Sequence, residues 1–130
     1  MTRFCALLLC FSLSACSSVN GDSWPFDAAP VASFNSPWAM TFLPDGRLLV
    51  TEKAGALLVV SQTGEKSAPV KGVPAVAAGG QGGLGDVVLH PDFADNAIVY
   101  LSYVEADDDG LLGAVVVRGK LMLSDTDAAI

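Results

Sequence analysis

The stretch Gly79-Gly-Gln-Gly-Gly-Leu-Gly-Asp-Val-Val-Leu-His-Pro-Asp-Phe93 admits two incompatible readings, and the choice between them fixes the fold. Gly80-x-Gly82-x-x-Gly85 matches the dinucleotide pattern G-x-G-x-x-G. That pattern binds a pyrophosphate only where the glycines lead from a strand into a helix whose N-terminus faces the anion. Only five residues, Asp86 to His90, separate the last glycine from Pro91, too few for a packing helix, and the proline would break one. Val87, Val88 and Leu89 favour a strand instead. The stretch therefore reads as a glycine-rich bend presenting one amide, Gln81, followed by a short strand that a His-Pro-Asp turn closes.

The rest of the chain from Val31 has the same texture: short runs of β-branched and large apolar residues between turn signals. Trp38 to Leu43 reads as a strand, and Leu43-Pro44-Asp45-Gly46 suits a type I turn with proline at its second position. Leu48 to Thr51 and Ala56 to Ser61 follow as strands, separated by the turn Glu52 to Gly55. Val70 to Ala78 is looser, broken by Gly72 and Pro74. Gly85 to Leu89, Ala97 to Val104 and Ala114 to Leu123 are strands again, with Asp107 to Gly110 as an exposed loop. No amphipathic helix is expected, and closely spaced short strands argue an all-β fold.

An internal echo sharpens this. Trp38-Ala-Met-Thr-Phe-Leu-Pro-Asp45 and Gly85-Asp-Val-Val-Leu-His-Pro-Asp92 are both a strand ending in Pro-Asp, and the Pro-Asp pair recurs after 47 residues. Each is followed by a second strand, Arg47 to Thr51 and Ile98 to Ser102. A period in the forties to about fifty, with four short strands per unit, is the mark of a β-propeller blade.

The first residues read as an export signal rather than as fold. Arg3 precedes the apolar run Phe4 to Leu13, which is too short to span a bilayer, and Leu13-Ser14-Ala15-Cys16 follows. Leu-Ser-Ala-Cys resembles the bacterial lipobox, whose cysteine is lipidated and becomes the first mature residue. The expectation is a lipoprotein signal peptide over 1–15, a flexible tether over 16–30 and a folded part over 31–130. Cys16 would be the lipidation site, and acyl chains there would hold the protein at a membrane surface. Ser17 after the cysteine resembles the outer-membrane sorting pattern, so the expected location is periplasmic, anchored to the outer membrane.

Composition excludes several classes. Without the signal, six Lys and Arg stand against fourteen Asp and Glu, a net charge of −8 that disfavours nucleic acid as a partner. Cys5 and Cys10 leave with the signal, so no intrachain disulfide remains, and one histidine cannot build a Cys/His zinc site.

With Gly80-Gln-Gly-Gly-Leu84 and Leu89-His-Pro-Asp-Phe93 at fixed spacing, the chain resembles the pyrroloquinoline-quinone (PQQ)-dependent aldose sugar dehydrogenases, the soluble glucose/sorbosone dehydrogenase family. Ser36-Pro-Trp-Ala-Met-Thr-Phe-Leu-Pro-Asp-Gly46 and Leu49-Val-Thr-Glu-Lys53 are similar to that family's opening blade, and Leu101-Ser-Tyr103 and Gly119-Lys-Leu-Met-Leu123 extend the likeness. The resemblance implies a six-bladed propeller binding calcium and PQQ at one end of its channel. It implies oxidation of the anomeric hydroxyl of an aldose to a lactone, with a histidine as general base, hydride passing to the quinone and calcium polarising the accepting carbonyl. Of the family's site residues only the glutamine of the bend falls in this chain, at Gln81, as a cofactor-binding or sugar-binding group. The catalytic histidine, the remaining quinone-gripping residues and the calcium ligands would follow Ile130. Six blades need about 300 residues, so the expectation is a partial propeller of two to two and a half blades, the N-terminal part of a longer protein and inactive by itself.

Blander readings stand beside these. His90 is expected to be structural, satisfied by the turn beside Pro91. Asp107 to Asp109 lack EF-hand spacing and read as a solvated turn. Asp86 either orients the glutamine bend or pairs with a backbone amide. Trp38, Phe42, Phe93 and Tyr100 are expected as core packing between blades. A non-catalytic propeller lipoprotein and another six-bladed enzyme, such as a calcium-dependent lactonase, remain the alternative functions. The preferred sugar and the electron acceptor are not legible.

Overall fold

The computed structural model describes residues 25–124 and 128–130. The proposed signal peptide and Cys16 lie outside the described residues.

Two antiparallel sheets of three strands each make up the fold. The first runs β1 (Pro37–Phe42), β2 (Leu48–Glu52), β3 (Ala56–Val60) in that spatial order. The second runs β4 (Leu84–Leu89), β5 (Ile98–Ala106), β6 (Leu112–Lys120). Residues 65–70 follow the free edge of β3 as a ragged fourth strand: Ser61 N–H donates to Glu65 O at 2.8 Å, Ser67 N–H to Val59 O at 2.8 Å and Val70 N–H to Leu57 O at 2.8 Å. The proline at 69 is tolerated because the strand lies at an edge. A short pair, β7 (Met122–Leu123) with β8 (Ala128–Ala129), is joined to Lys71 by a parallel bridge. These are two blades of a β-propeller, and the Pro-Asp echo is a geometric repeat: β1–turn–β2 corresponds to β4–turn–β5.

The core lies between the sheets. Strand alternation sends Leu49, Leu57 and Val59 from the first sheet against Leu84, Val87, Val99, Leu101 and Tyr103 from the second. Each fully buried aliphatic side chain contributes roughly 1.5–3 kcal/mol to holding the blades together. The faces turned away from this core carry Met40 at 63%, Phe42 at 64% and Val116 at 71% exposure, the surfaces on which neighbouring blades stack in a propeller.

Three expectations need correction. Trp38 and Phe42 are 52% and 64% exposed rather than packed between the blades. Phe42 lies on the far face of β1, and Trp38 sits at a register break between Pro37 and Ala39. The Pro-Asp turn of the second blade contains one helical turn, α1 (Phe93–Asn96), closed by Ala97 at φ 56°. It is too short to carry a helical hydrophobic period, and short polar side chains hold it: Asn96 Oδ1 accepts the Ile98 N–H at 2.8 Å. The last strand is divided at Leu121 into β6 and β7; its N–H still pairs in register with Ala97 O at 2.8 Å, while its side chain is buried.

Candidate functional site

The glycine bend sits where β1 and β4, the inner strands of the two blades, begin side by side. Its backbone is closed by Gly82 N–H to Gly79 O at 2.6 Å. The second blade fixes it through Ala77 N–H to Val104 O at 2.7 Å and Val104 N–H to Gly83 O at 3.0 Å. The first blade fixes it through one residue. Lys53 Nζ donates to the Gly80 carbonyl, and the Lys53 carbonyl accepts the Leu84 N–H at 3.0 Å. Entrance and exit of the bend are thus tied to the same lysine.

Two glycines show why the sequence needs this composition. Gly83 has φ +128°, and a Cβ there would lie 2.2 Å from the Lys53 carbonyl oxygen, so any side chain would push the blades apart. Gly80 has φ +53° and open space around it, so the surface beside Gln81 is bare backbone. Gln81 itself is exposed, and its side-chain amide makes no hydrogen bond among the described residues. A free amide offers two N–H donors and an acceptor oxygen to a ligand.

Gln81 borders a groove of about 250 Å³ shared with Trp38, Gly85, Ser102, Tyr103 and Val116. Both inner strands depart from regular register at this end, β1 between Pro37 and Ala39 and β4 between Leu84 and Val87. Bulges of this kind re-aim side chains and recur beside active sites. Ser102 Oγ fills the irregularity of β4 by accepting the Asp86 N–H at 2.8 Å. The Tyr103 hydroxyl is held above its ordinary pKa, first by desolvation and then by the Glu105 carboxylate, so it stays a protonated phenol at neutral pH.

The other candidate residues fall outside this corner. Asp86 Oδ1 accepts its neighbour's N–H, from Val87 at 2.9 Å, which is the backbone-pairing reading. His90 Nδ1 lies 3.0 Å from the Asp92 N–H and 2.9 Å from Asn96 Nδ2, and its ring stacks on Tyr100 at 6.2 Å, so it serves the turn. Asp107 Oδ1 accepts the N–H groups of Asp109 and Leu111 and closes its own turn. Among the described residues no three His, Cys, Asp or Glu side chains come together as a metal site. Lys53 was invisible as a site residue in the sequence, because its contacts are made across the two blades.

The family profile described as Glucose / Sorbosone dehydrogenase matches residues 34–129. The chain belongs to that family. It is 50% identical over 86 residues to the aldose sugar dehydrogenase YliI of Escherichia coli K12, covering 65% of this chain and 23% of that protein. The crystal structure of the soluble aldose sugar dehydrogenase of Escherichia coli in the apo form superimposes with a TM-score of 0.67 at 46% identity, over 74% of this chain and 27% of that one. The PQQ-bound aldose sugar dehydrogenase of Streptomyces coelicolor gives a TM-score of 0.60 at 34% identity, over 73% of this chain and 27% of that one. The glucose/sorbosone dehydrogenase chain described above therefore spans about a quarter of the length of these relatives.

Proposed function

We propose that the protein belongs to a quinoprotein that oxidises the anomeric hydroxyl of an aldose to the lactone. The observation that carries this reading is the free Gln81 amide on a bare glycine corner, in a chain of the glucose/sorbosone dehydrogenase family. PQQ, when bound, supplies the acceptor for the hydride leaving the anomeric carbon. Gln81 orients either a sugar hydroxyl or a quinone oxygen through its donor and acceptor pair. Gly80 lets a ring approach the backbone, while Lys53 and Val104 keep the corner from moving. The proton of the anomeric hydroxyl goes to a base other than His90, whose Nδ1 already faces two N–H donors.

The test is dye-linked oxidation of glucose by the whole quinoprotein to which this chain belongs, purified, with PQQ and calcium supplied. Lactone formation that requires the quinone is the expected result. Turnover without quinone, or none with it, contradicts the reading.

We further infer export and lipid anchoring through Cys16, on the strength of the apolar run and the Leu-Ser-Ala-Cys sequence. Cys16→Ser should release the protein from the membrane fraction and abolish acylation detected by mass spectrometry. Unchanged fractionation contradicts anchoring at this residue.

A further inference from the structure

We infer that Lys53 is a positioning residue for Gln81: its ammonium fastens the apex of the glycine bend, so that the amide meets its ligand already ordered. This deepens the quinoprotein reading and rests on it. The bend is anchored at its two ends and soft between them. Val104 ties Ala77 at the entrance and Gly83 at the exit, through bonds of 2.7 and 3.0 Å. Between those anchors stand Ala78, Gly79, Gly80, Gln81 and Gly82, and glycine leaves a backbone more freedom than any other residue. The bond from Gly82 N–H to Gly79 O closes the turn on itself without fastening it to either blade. Among the described residues, the contact that fastens the apex is the Lys53 ammonium on the Gly80 carbonyl. That carbonyl belongs to the peptide bond leading into Gln81, which is trans and planar, so holding its oxygen holds the plane on which Gln81 is mounted.

The lysine is itself rigidly placed. Its N–H donates to Ser36 O at 3.0 Å and its carbonyl accepts the Leu84 N–H at 3.0 Å, which holds it between the starts of β1 and β4. Its stem passes over Gly83, where a Cβ would lie 2.8 Å from Lys53 Cγ. The bare residue at 83 therefore serves the route of the lysine as well as the approach of the blades. Every one of these contacts joins two residues within 36–104, so the clamp is a property of these two blades alone. A cation suits its far end, because a charged donor binds a carbonyl more strongly than a neutral one and an ammonium needs no fixed plane to meet it. A corner held this way spares the ligand the cost of ordering Gln81 on arrival.

The experiment uses the whole quinoprotein to which this chain belongs, with Lys53→Met keeping the stem and removing the charge and the donors. Hydrogen–deuterium exchange read by mass spectrometry tests the clamp without cofactor or sugar. Exchange across residues 78–83 should quicken about threefold or more in Lys53→Met, with β4 and β5 unchanged, and return towards wild type in Lys53→Arg. In dye-linked oxidation of glucose with PQQ and calcium, Lys53→Met should lower kcat/KM about tenfold, and Lys53→Arg should recover most of the loss. In a Gln81→Ala background the same change should cost less than about twofold, because the lysine acts through that amide. Should Lys53→Met not fold, Lys53→Gln, neutral and too short to reach Gly80, takes its place in each measurement. Unchanged exchange, unchanged kcat/KM, or an equal loss with and without the Gln81 side chain overturns the assignment while the quinoprotein reading stands. If wild type oxidises no aldose, that reading fails and this inference falls with it.

Discussion

Replacing Thr51 with Val should loosen the joint between the blades without changing the volume of the core. Thr51 is fully buried, and its one hydroxyl serves three strands. Its Oγ1, on β2, accepts the Ala39 N–H of β1 at 3.0 Å and donates to the Gly85 carbonyl of β4 at 2.7 Å. Valine fits the same space but strands both partners, each half-buried. An unsatisfied buried group costs about 1–3 kcal/mol, and the partial exposure of both favours the lower end, so the sum is about 2 kcal/mol. In a domain of this size that lowers Tm by roughly 8–16 °C. Thr51→Ser keeps the hydroxyl and loses one methyl, which costs about 1 kcal/mol. Thermal and urea unfolding of the three proteins measure the difference. The reasoning is refuted if Thr51→Val lies within about 0.5 kcal/mol of wild type, or if the serine variant is as damaged as the valine.

Gly83→Ala should cost more than its size suggests, about 2–4 kcal/mol, because a Cβ would collide with the Lys53 carbonyl at a backbone conformation alanine disfavours; urea unfolding that shows no loss contradicts the close approach. Leu101→Ala removes a fully buried side chain between the sheets and should destabilise by about 2–5 kcal/mol, read from the same unfolding curves. The Asp45 carboxyl is held below its ordinary value of 3.8, chiefly by the Arg47 guanidinium and then by the Arg47 N–H. Its folded value lies below its unfolded one, so its contribution is complete above the unfolded value and disappears as pH falls through the folded one. Both partners are exposed, so Asp45→Asn should change stability at neutral pH by only a few tenths of a kcal/mol and flatten the fall below about pH 4; an unchanged acid limb speaks against the pair.

Most of the architecture was legible because each strand is a short apolar run between Gly, Pro and Asp. The alternation of Ile98, Tyr100 and Ser102 against Val99, Leu101 and Tyr103 appears in the structure as half-buried and buried faces of β5. Gln81 stood out because an amide among glycines has no packing role to explain it. What escaped the sequence was nonlocal. The Lys53 clamp spans 27 residues and the Thr51 link 34, and neither leaves a periodic trace. Trp38 was assigned to the core because a large aromatic in an apolar strand usually packs. It is exposed in step with Met40 and Phe42 on β1, and which face of that strand is covered depends on its pairing, which local composition does not encode.

The central claim is that the Gln81 amide meets a ring bearing oxygens at this corner. The most direct test follows the Gln81 side-chain NH₂ resonances by ¹⁵N-edited NMR as glucose and PQQ are added in turn. The account predicts that at least one of them shifts both side-chain protons saturably, with the Gly80 and Gly82 amides moving alongside. Titration of both compounds to saturating activity, with the Gln81 resonances fixed, would contradict it.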